Sequence, residues 1–371
     1  MEELNLCRNG AGGYLKKELD NRGWSQNDLA EITGLSTKTI NQIINNKQIM
    51  TPVNAIILGS AFGTNPELWL NLDARFQVES RRNTETEKAE LAELKARLHA
   101  IMPFTEIKNK GWFSTRMQTL EEIKKGVSEF LGTDIIPEKI EGDDLRACAR
   151  RTRTDNQYTD RNCNAWFMFA KYFSKDIQLS RFDADKFKEI AKRISEYTLL
   201  ADGPERFIND LRSVGVGFFI LKHLEKTYLD GAAFFNGKNP FIVYTGRYNR
   251  IDNFWFVMAH ECGHVFNDYE YMKQGSFLDD LDLKASEKDE REISADAFAN
   301  TVLKHDSIVD MGDIFGRYLS EERLRQLSDN SGVSIPVALG ILQHEEIVDW
   351  RKFSRFRKPV LDLIPDCYKK G

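Results

Sequence analysis

Two histidines and a glutamate, at a spacing suited to metal catalysis, occur in the stretch FWFVMAHECGHVF, residues 254–266. His260 and His264 are four residues apart, so on a helix they lie one turn apart on one face and point at one position. A catalytic zinc ion takes three protein ligands and keeps a fourth position for a water molecule that it makes acidic. Glu261, beside that face, is placed to take the proton of that water. The alternative is that the two histidines are ordinary core or surface residues.

The later stretch EREISADAFANTVL offers a third ligand. Glu292 and Asp296 are again four residues apart, on a face lined by Ala295 and Ala299, whose small side chains allow another helix to approach closely. We assign Glu292 to the metal, and we expect Asp296 to accept the outer N–H of a metal-bound imidazole, that of His260. The alternative is a solvated acidic face, which suits the earlier acids of SEKDERE better than it suits Asp296.

Short strands must precede the helix that carries the two histidines. After Asp202 the segments VGVGFFIL, GAAFF and PFIVYTG are apolar and bounded by glycine, proline and asparagine, and Asn236-Gly237 predicts a tight turn between the last two. A helix is predicted from Ser286 to Leu303, and the chain ends in helical segments that include SIPVALGILQHEEI.

This order of elements resembles the ImmA/IrrE family of metallopeptidases. The family pattern is a strand pair, a His-Glu-x-x-His helix and a helix of the form Glu-x-x-Ala-(Asn/Asp)-x-Phe-Ala, and SIPVALGILQ is similar to its closing helix. The resemblance runs from about Asp202 to the C-terminus. It implies a zincin-like fold, catalysis through Glu261, proteolysis of a regulatory protein, and Zn2+ bound by the residues already assigned: His260, His264 and Glu292.

Three further expectations follow for this peptidase-like region. The strand before the active helix, residues 241–245, is expected to form the sheet edge on which an extended substrate pairs. Tyr244 and Tyr269 are candidates for stabilising the oxyanion, although both are also suited to structural roles. Cys262 is expected to point away from the ligands and to pack in the core, the alternative being a sensor of oxidation or metal.

The N-terminal stretch WSQNDLAEITGLSTKTINQIINNK has the helix, glycine-containing turn and helix of a DNA reader. Ile40, Ile43 and Ile44 form the apolar face of the second helix. Side chains able to contact bases or phosphates then point outward: Thr37, Lys38, Asn41, Gln42 and Asn45. Acids and bases are balanced in this region, so its electrostatic attraction to DNA is weak, and a helical interaction domain is the alternative.

Helix-end signals are frequent in the same region. Capping side chains are predicted at Ser25 with Asp28, at Ser36, at Thr51 before Pro52 and at Asn65 before Pro66, and helix stops at Gly34 and Gly63.

The stretch from GGYLKKEL to WLNLDARF resembles HigA-type antitoxins of the Xre group of helix-turn-helix repressors. The resemblance covers about the first fifth of the chain and implies a homodimer that binds palindromic operator DNA.

Composition sets the broad class. The chain of 371 residues is 41% hydrophobic and 29% charged, with a net charge of -5, and no apolar run is long enough to span a bilayer. Five scattered cysteines do not form a disulfide framework, which indicates a reducing compartment, and we expect a cytoplasmic protein without a membrane partner. The arginines of RACARRTRTDNQ, including Arg150, Arg151 and Arg153, are interpreted as a solvated or salt-bridged face, the alternative being a phosphate-binding group.

We therefore predict a mainly α protein with a small β-sheet (α+β) in three parts: a helix-turn-helix bundle at 1–78, a helical connecting region at 79–200, and a zincin-like metallopeptidase domain with C-terminal helices at 201–371. The predicted function is a DNA-binding regulator or antitoxin-like protein whose zinc endopeptidase cleaves a regulatory protein in stress, prophage or toxin-antitoxin control. The alternative is a non-proteolytic repressor whose peptidase-like domain senses a metal or ligand. A separate protein substrate is favoured over cleavage of the chain's own charged stretch, residues 79–98.

Overall fold

A computed structural model describes residues 10–82, 85–137, 157–273, 285–315 and 318–370. The chain divides into two compact units, residues 1–93 and 94–371. The segment 79–200, predicted to connect two domains, is thus shared between them. The arginines of the connecting segment, Arg150, Arg151 and Arg153, lie outside the described residues.

The first unit is a helical bundle whose helix ends follow the capping chemistry of the sequence. Its helices are α1 Gly10–Arg22, α2 Gln26–Thr33, α3 Thr37–Ile44, α4 Pro52–Phe62, α5 Pro66–Arg82 and the start of α6 Thr86–Ile101. Ser25 and Asp28 form a reciprocal capping box at α2, and Gly34 ends that helix with a left-handed φ of 71°. The predicted caps at Ser36 and Thr51 are confirmed, since each hydroxyl accepts the backbone N–H three residues on.

Buried aliphatic and aromatic side chains from α1 to α5 form one core in this unit. Leu15, Leu29, Ile40, Leu58 and Trp69 are fully buried within it. Since each of these residues comes from a different helix, the core fixes the orientation of α2 and α3, the two helices of the predicted DNA reader.

The second unit surrounds a small sheet with helices. Its helices after α6 are α7 Phe104–Asn109, α8 Leu120–Leu131, α9 Gln157–Ser174, α10 Ala184–Lys192, α11 Ile194–Thr198, α12 Gly203–Ser213, α13 Ile251–Lys273, α14 Ala285–Val302, α15 His305–Phe315, α16 Glu321–Ser331 and α17 Ile335–His344. Its strands are β1 Gly217–Leu221, β2 Gly231–Phe235, β3 Pro240–Tyr244 and β4 Lys369–Lys370. The α+β prediction is confirmed at this level. No helix in the described ranges has both the length and the apolar character required to cross a bilayer.

The four strands lie in the order β2-β3-β1-β4. β1 runs parallel to both β3 and β4, and β2 pairs antiparallel with β3 through the predicted turn at Asn236-Gly237. The prediction that residues 241–245 form the edge is therefore wrong. β3 is central because β1, which comes earlier in the chain, pairs with its second side, and β2 is the edge strand.

The two faces of the sheet are covered by different helices. Ile242 and Tyr244 of β3 face the core that includes α13, whereas Phe234 of β2 contacts Phe167 of α9 at a ring-centroid distance of 5.3 Å on the other face. All five residues of β1 and of β3 are buried, as expected for strands covered on both faces.

The contact between α13 and α14 is unusually close. A Cβ atom at Gly263 would lie 2.9 Å from Ala295 Cα and 3.0 Å from Ala295 O, so only glycine fits there. Ala295 and Ala299 are fully buried, as their predicted role in close helix approach requires. This contact holds the predicted ligand helix beside the His-Glu-x-x-His helix.

Candidate metal centre and DNA-binding surface

The N-terminal end of α13 is anchored by contacts with the loop that precedes it and with the C-terminal segment. Ile251 N–H donates to the Lys358 carbonyl at 3.0 Å, and the Arg250 guanidinium forms an ion pair with the buried Asp252 carboxylate at 2.5 Å. Phe254 and Met258 are fully buried in the core along one face of the helix. Because both the start and one face of the helix are fixed, the next turns project His260 and His264 toward α14.

Three predicted ligands converge between α13 and α14. The Nε2 atoms of His260 and His264 are 3.0 Å apart, and the Glu292 carboxylate oxygens lie 3.4 Å from His260 Nε2 and 3.5 Å from His264 Nε2. In a tetrahedral zinc site, metal–ligand distances of ~2.0–2.1 Å place neighbouring donors about 3.3 Å apart. The donor set and its spacing therefore fit a zinc ion, and these three residues are a group able to hold a metal.

A carboxylate holds the outer nitrogen of each imidazole. His260 Nδ1 lies 2.6 Å from Asp296 Oδ1, the contact expected from the sequence, and His264 Nδ1 lies 3.0 Å from Asp268 Oδ2. Each carboxylate fixes a ring orientation that leaves Nε2 for a metal. Asp268 was not among the predicted site residues, although its position four residues after His264 on the same helix could have indicated it.

The carboxylates also control the charge of His264. Burial lowers the pKa of His264, but its hydrogen bonds to Asp268 and Glu292, together with the negative charges of Glu261 and Glu292, outweigh burial and raise the pKa to about 9. Without a metal, the imidazole is therefore protonated at neutral pH. A cation bound between these side chains would replace that proton.

Glu261, the predicted general base, is buried, with an exposed fraction of 1%. The first residue of the edge strand limits the space beside it. A Cβ at Gly231 would lie 3.1 Å from Glu261 Oε1 and 2.6 Å from Val257 Cγ1. Gly231 thus leaves room for the Glu261 carboxylate between α13 and β2, a relation that the sequence spacing does not reveal.

The other candidates in this unit are held by structural contacts. Tyr244 is fully buried and its hydroxyl donates to the Tyr248 carbonyl at 2.7 Å, while Tyr269 packs against Phe182 at 4.5 Å between ring centroids. Cys262 is fully buried in the core, and burial raises the pKa of its thiol. These side chains therefore support the fold, and the expected packing role of Cys262 agrees with its position.

In the first unit, the predicted DNA-contacting residues lie on the outer side of α3. Thr37, Lys38, Asn41 and Asn45 are exposed and Gln42 is half-buried, whereas Ile40 and Ile43 are buried. The Asn45 side-chain amide donates to the Asn41 carbonyl at 2.8 Å and to the Asn41 side-chain oxygen at 3.2 Å. These two side chains are therefore partly engaged with each other at the C-terminal end of the helix.

A close contact fixes α3 against α1. A Cβ at Gly12 would lie 2.4 Å from the carbonyl oxygens of both Ile43 and Ile44, and Gly12 N–H donates to Asn46 Oδ1 at 3.0 Å. Because the atoms in contact belong to the backbone, no side-chain rotation could make room for a methyl group. The position of α3 therefore depends on a glycine in α1.

Comparison with known proteins identifies this first unit. A helix-turn-helix family model matches residues 15–69. The chain is 35% identical over 72 residues to an uncharacterized HTH-type transcriptional regulator of Haemophilus influenzae, and this match covers 19% of the chain and 67% of the relative. It is 37% identical over 79 residues to antitoxin HigA-1 of Vibrio cholerae, and this match covers 21% of the chain and 74% of the antitoxin. No solved structure matches the chain. Through its first fifth, the chain belongs to the helix-turn-helix family of DNA-binding transcriptional regulators and HigA-like antitoxins.

Proposed function

We propose that the second unit is a zinc-dependent endopeptidase, joined in one chain to the DNA-binding first unit, and that it has the ImmA/IrrE-like activity which its motifs imply. The observation that carries this proposal is the convergence of two Nε2 atoms and one carboxylate at 3.0–3.5 Å, each imidazole being oriented by its own carboxylate. Zinc in such a site supplies a Lewis acid that polarises a carbonyl and lowers the pKa of water. The protein residues supply proton transfer, substrate positioning and a dry environment.

Proton transfer is assigned to Glu261. Its carboxylate is buried beside the two histidines, where a low dielectric strengthens its interaction with a water proton. It would take the proton from the attacking water and deliver it to the leaving amine. A non-proteolytic sensor requires the ligands His260, His264 and Glu292 but not this base, so Glu261 favours the enzyme over the sensor.

Substrate positioning is assigned to β2, which replaces β3 in the role expected from the sequence. Within the described ranges β2 pairs only with β3, so its outer edge can accept an extended peptide by backbone hydrogen bonds. Its first residue, Gly231, is next to Glu261, so a peptide paired with this edge would lie beside the proposed general base. A cavity of about 270 Å³ adjoins the centre and is lined in part by Phe256, Asp296, Ile341 and Trp350, so it could receive one substrate side chain.

A separate protein is the favoured substrate. The charged stretch 79–98, considered for self-cleavage, lies largely in α5 and α6, and Leu94 and Leu98 of α6 are buried. Because these two leucines hold α6 in place, the helix must unfold locally before its backbone can pair with a strand edge, which raises the energetic cost of cleavage there. A regulatory protein in stress, prophage or toxin-antitoxin control remains the proposed target.

The zinc assignment is tested by elemental analysis of the purified chain. One zinc per chain is expected in the wild-type protein and in Glu261→Gln, and none in His260→Ala. His344→Ala is the matched control, because its side chain is 82% exposed and lies outside the centre. Stoichiometric zinc in His260→Ala would refute the assignment.

Proteolysis is tested with proteins encoded beside the gene, incubated with the zinc-loaded chain in the presence and absence of a chelator. Glu261→Gln should abolish cleavage while retaining zinc. Glu270→Gln makes the same substitution at an exposed position of α13 and should cleave normally. Equal cleavage by the wild-type and Glu261→Gln proteins would exclude Glu261 as the base. Mass spectrometry of the chain itself would reveal self-cleavage by a fragment ending between residues 79 and 104.

For the first unit we propose binding, as a homodimer, to palindromic operator DNA near its own gene. Thr37, Lys38 and Gln42 lie on the outer side of α3, where they can reach base edges or phosphates. In mobility-shift assays Lys38→Ala and Gln42→Ala should weaken promoter binding without changing helicity, whereas Lys16→Ala in α1 should have a smaller effect. Equal affinity for promoter and random DNA at low salt would favour the helical interaction domain.

A further inference from the structure

A cavity of about 990 Å³ opens where the parallel strands of the sheet end. Its lining includes Ile220 and Lys222 at the end of β1, Thr245 just after β3, and Lys369 and Lys370 of β4. In open sheets, the crevice beyond the carboxyl ends of parallel strands is a common site for ligands. The residues of the metal centre do not line this cavity.

The charge of the cavity is opposite to that of the chain. Six cationic side chains line it against two acidic ones: Lys110, Arg161, Lys222, Lys226, Lys369 and Lys370, with Glu106 and Glu225. The whole protein has a net charge of -5, so the lining of this cavity is a local excess of positive charge on an acidic protein. Burial lowers the pKa of His223 in the lining, and the nearby charges of Lys110 and Arg247 lower it further, while Glu106 and Asp230 act in the opposite direction.

The loop that forms one wall is fixed by hydrogen bonds. Glu225 N–H donates to both carboxylate oxygens of Glu106 at 3.1 and 3.2 Å, and the Glu225 carbonyl accepts from Asn162 Nδ2 at 2.8 Å. Trp166 Nε1 donates to the carbonyls of Leu221 and Lys222, each at 3.2 Å. A wall that is already ordered loses little conformational entropy when a ligand binds.

Two lysines are available to a ligand. Within the described ranges, Lys222 and Lys370 have no acidic partner, whereas Lys369 pairs with Asp366 at 2.6 Å and Lys110 lies 3.6 Å from Glu106. Lys222 and Lys370 lie at neighbouring strand ends. Leu221, the last residue of β1, is in register with Lys370 of β4, and Lys222 is the next residue along the chain. Two ammonium groups at neighbouring strand ends can bind neighbouring phosphates as separate point charges.

We propose that this cavity binds a small ligand carrying two or more phosphate groups, with Lys222 and Lys370 among its principal contacts. The cationic side chains in the lining outnumber the acidic ones by more than one charge, so a ligand with a single carboxylate would not neutralise them. The volume lies at the upper end of the range for small-ligand sites, roughly 300–1,000 Å³, and has room for a nucleotide-sized molecule. The site is independent of the proposed peptidase activity.

Isothermal titration calorimetry of the full chain with inorganic triphosphate tests this proposal, with sulfate at equal ionic strength as the comparison anion. Lys222→Ala and Lys370→Ala should each weaken triphosphate binding by about tenfold, since each removes a charge-assisted contact. Lys238→Ala is the matched control, because this exposed lysine lies in the β2–β3 turn at the opposite edge of the sheet. Its affinity should equal that of the wild-type protein.

A second control separates this cavity from the metal centre, because triphosphate also binds metal ions. Glu292→Gln alters the metal centre and should leave the lysine-dependent affinity unchanged. The proposal is overturned if triphosphate does not bind at millimolar concentration, if sulfate binds equally well, if Lys238→Ala weakens binding as much as Lys222→Ala, or if Glu292→Gln removes binding. Unchanged thermal melting of the two lysine variants would exclude misfolding as the cause of weaker binding.

Discussion

Replacing Gly263 with alanine should loosen the metal centre while leaving the fold intact. The added Cβ would lie 2.9 Å from Ala295 Cα, whereas ordinary carbon contacts are ~3.5–4.0 Å, so α13 and α14 must separate by about 1 Å. Metal–ligand distances tolerate only ~0.2 Å, and Glu292 is one turn from Ala295 on the displaced helix. We expect zinc affinity to fall by at least about tenfold, the lower end of the effect of disturbing ligand support.

The stability of Gly263→Ala should change far less. Overpacking costs roughly 1–3 kcal/mol, and the higher helix propensity of alanine offsets about 1 kcal/mol of this. Competition with a chromophoric chelator gives the zinc affinity, and urea unfolding of the metal-free chain gives the stability. Adding Ala295→Gly should not restore zinc binding, because the inserted carbon meets Cα and the carbonyl oxygen rather than the Ala295 side chain. Wild-type affinity in Gly263→Ala would refute this account of the α13–α14 contact.

Three other expectations concern single groups. Asp268→Asn keeps the shape of the side chain but removes the charge beside His264, and should weaken zinc binding by about 10–100-fold in the chelator assay; an unchanged affinity would exclude Asp268 as a support. Because the pKa of His264 is raised to about 9, zinc must displace a proton from this imidazole. Zinc affinity should therefore rise about tenfold per pH unit from pH 7 to 9, and an affinity that stays constant above pH 7 would contradict this. Gly12→Ala should push α1 away from Ile43 and Ile44 and abolish DNA binding. It should lower the free energy of unfolding of the first unit by roughly 1–3 kcal/mol in urea, and a wild-type value would disprove the contact.

Local signals predicted the local structure well. Ser25 with Asp28 begins α2, Gly34 ends it, and Asn236-Gly237 joins β2 to β3, because each feature depends on hydrogen bonds or φ values within a few residues. The four-residue spacing of His260 and His264 likewise places both imidazoles on one helical face.

Long-range pairing could not be obtained in this way. The central position of β3 depends on its parallel pairing with β1, about 24 residues earlier in the register, and strand alternation does not encode which neighbour a strand takes. The cationic cavity has the same origin, because Lys222 and Lys370 are adjacent in the sheet but far apart in the chain. The contact of Gly263 with Ala295 is predictable only in part, because the sequence indicates small residues on the contact face of α14 but does not indicate the need for glycine on α13.

The contact between Gly231 and Glu261 gives a criterion for interpreting related sequences. A side chain at position 231 would lie 2.6 Å from Val257 Cγ1 and 3.1 Å from the glutamate carboxylate, so a chain that keeps this valine and the glutamate should also keep the glycine. Chains under selection for proteolysis should retain both the glycine and the glutamate. In chains that have become metal sensors, selection would preserve the histidines while substitutions accumulate at the glutamate. An alignment of homologous sequences could therefore separate active enzymes from homologues that have lost catalysis, without an activity assay.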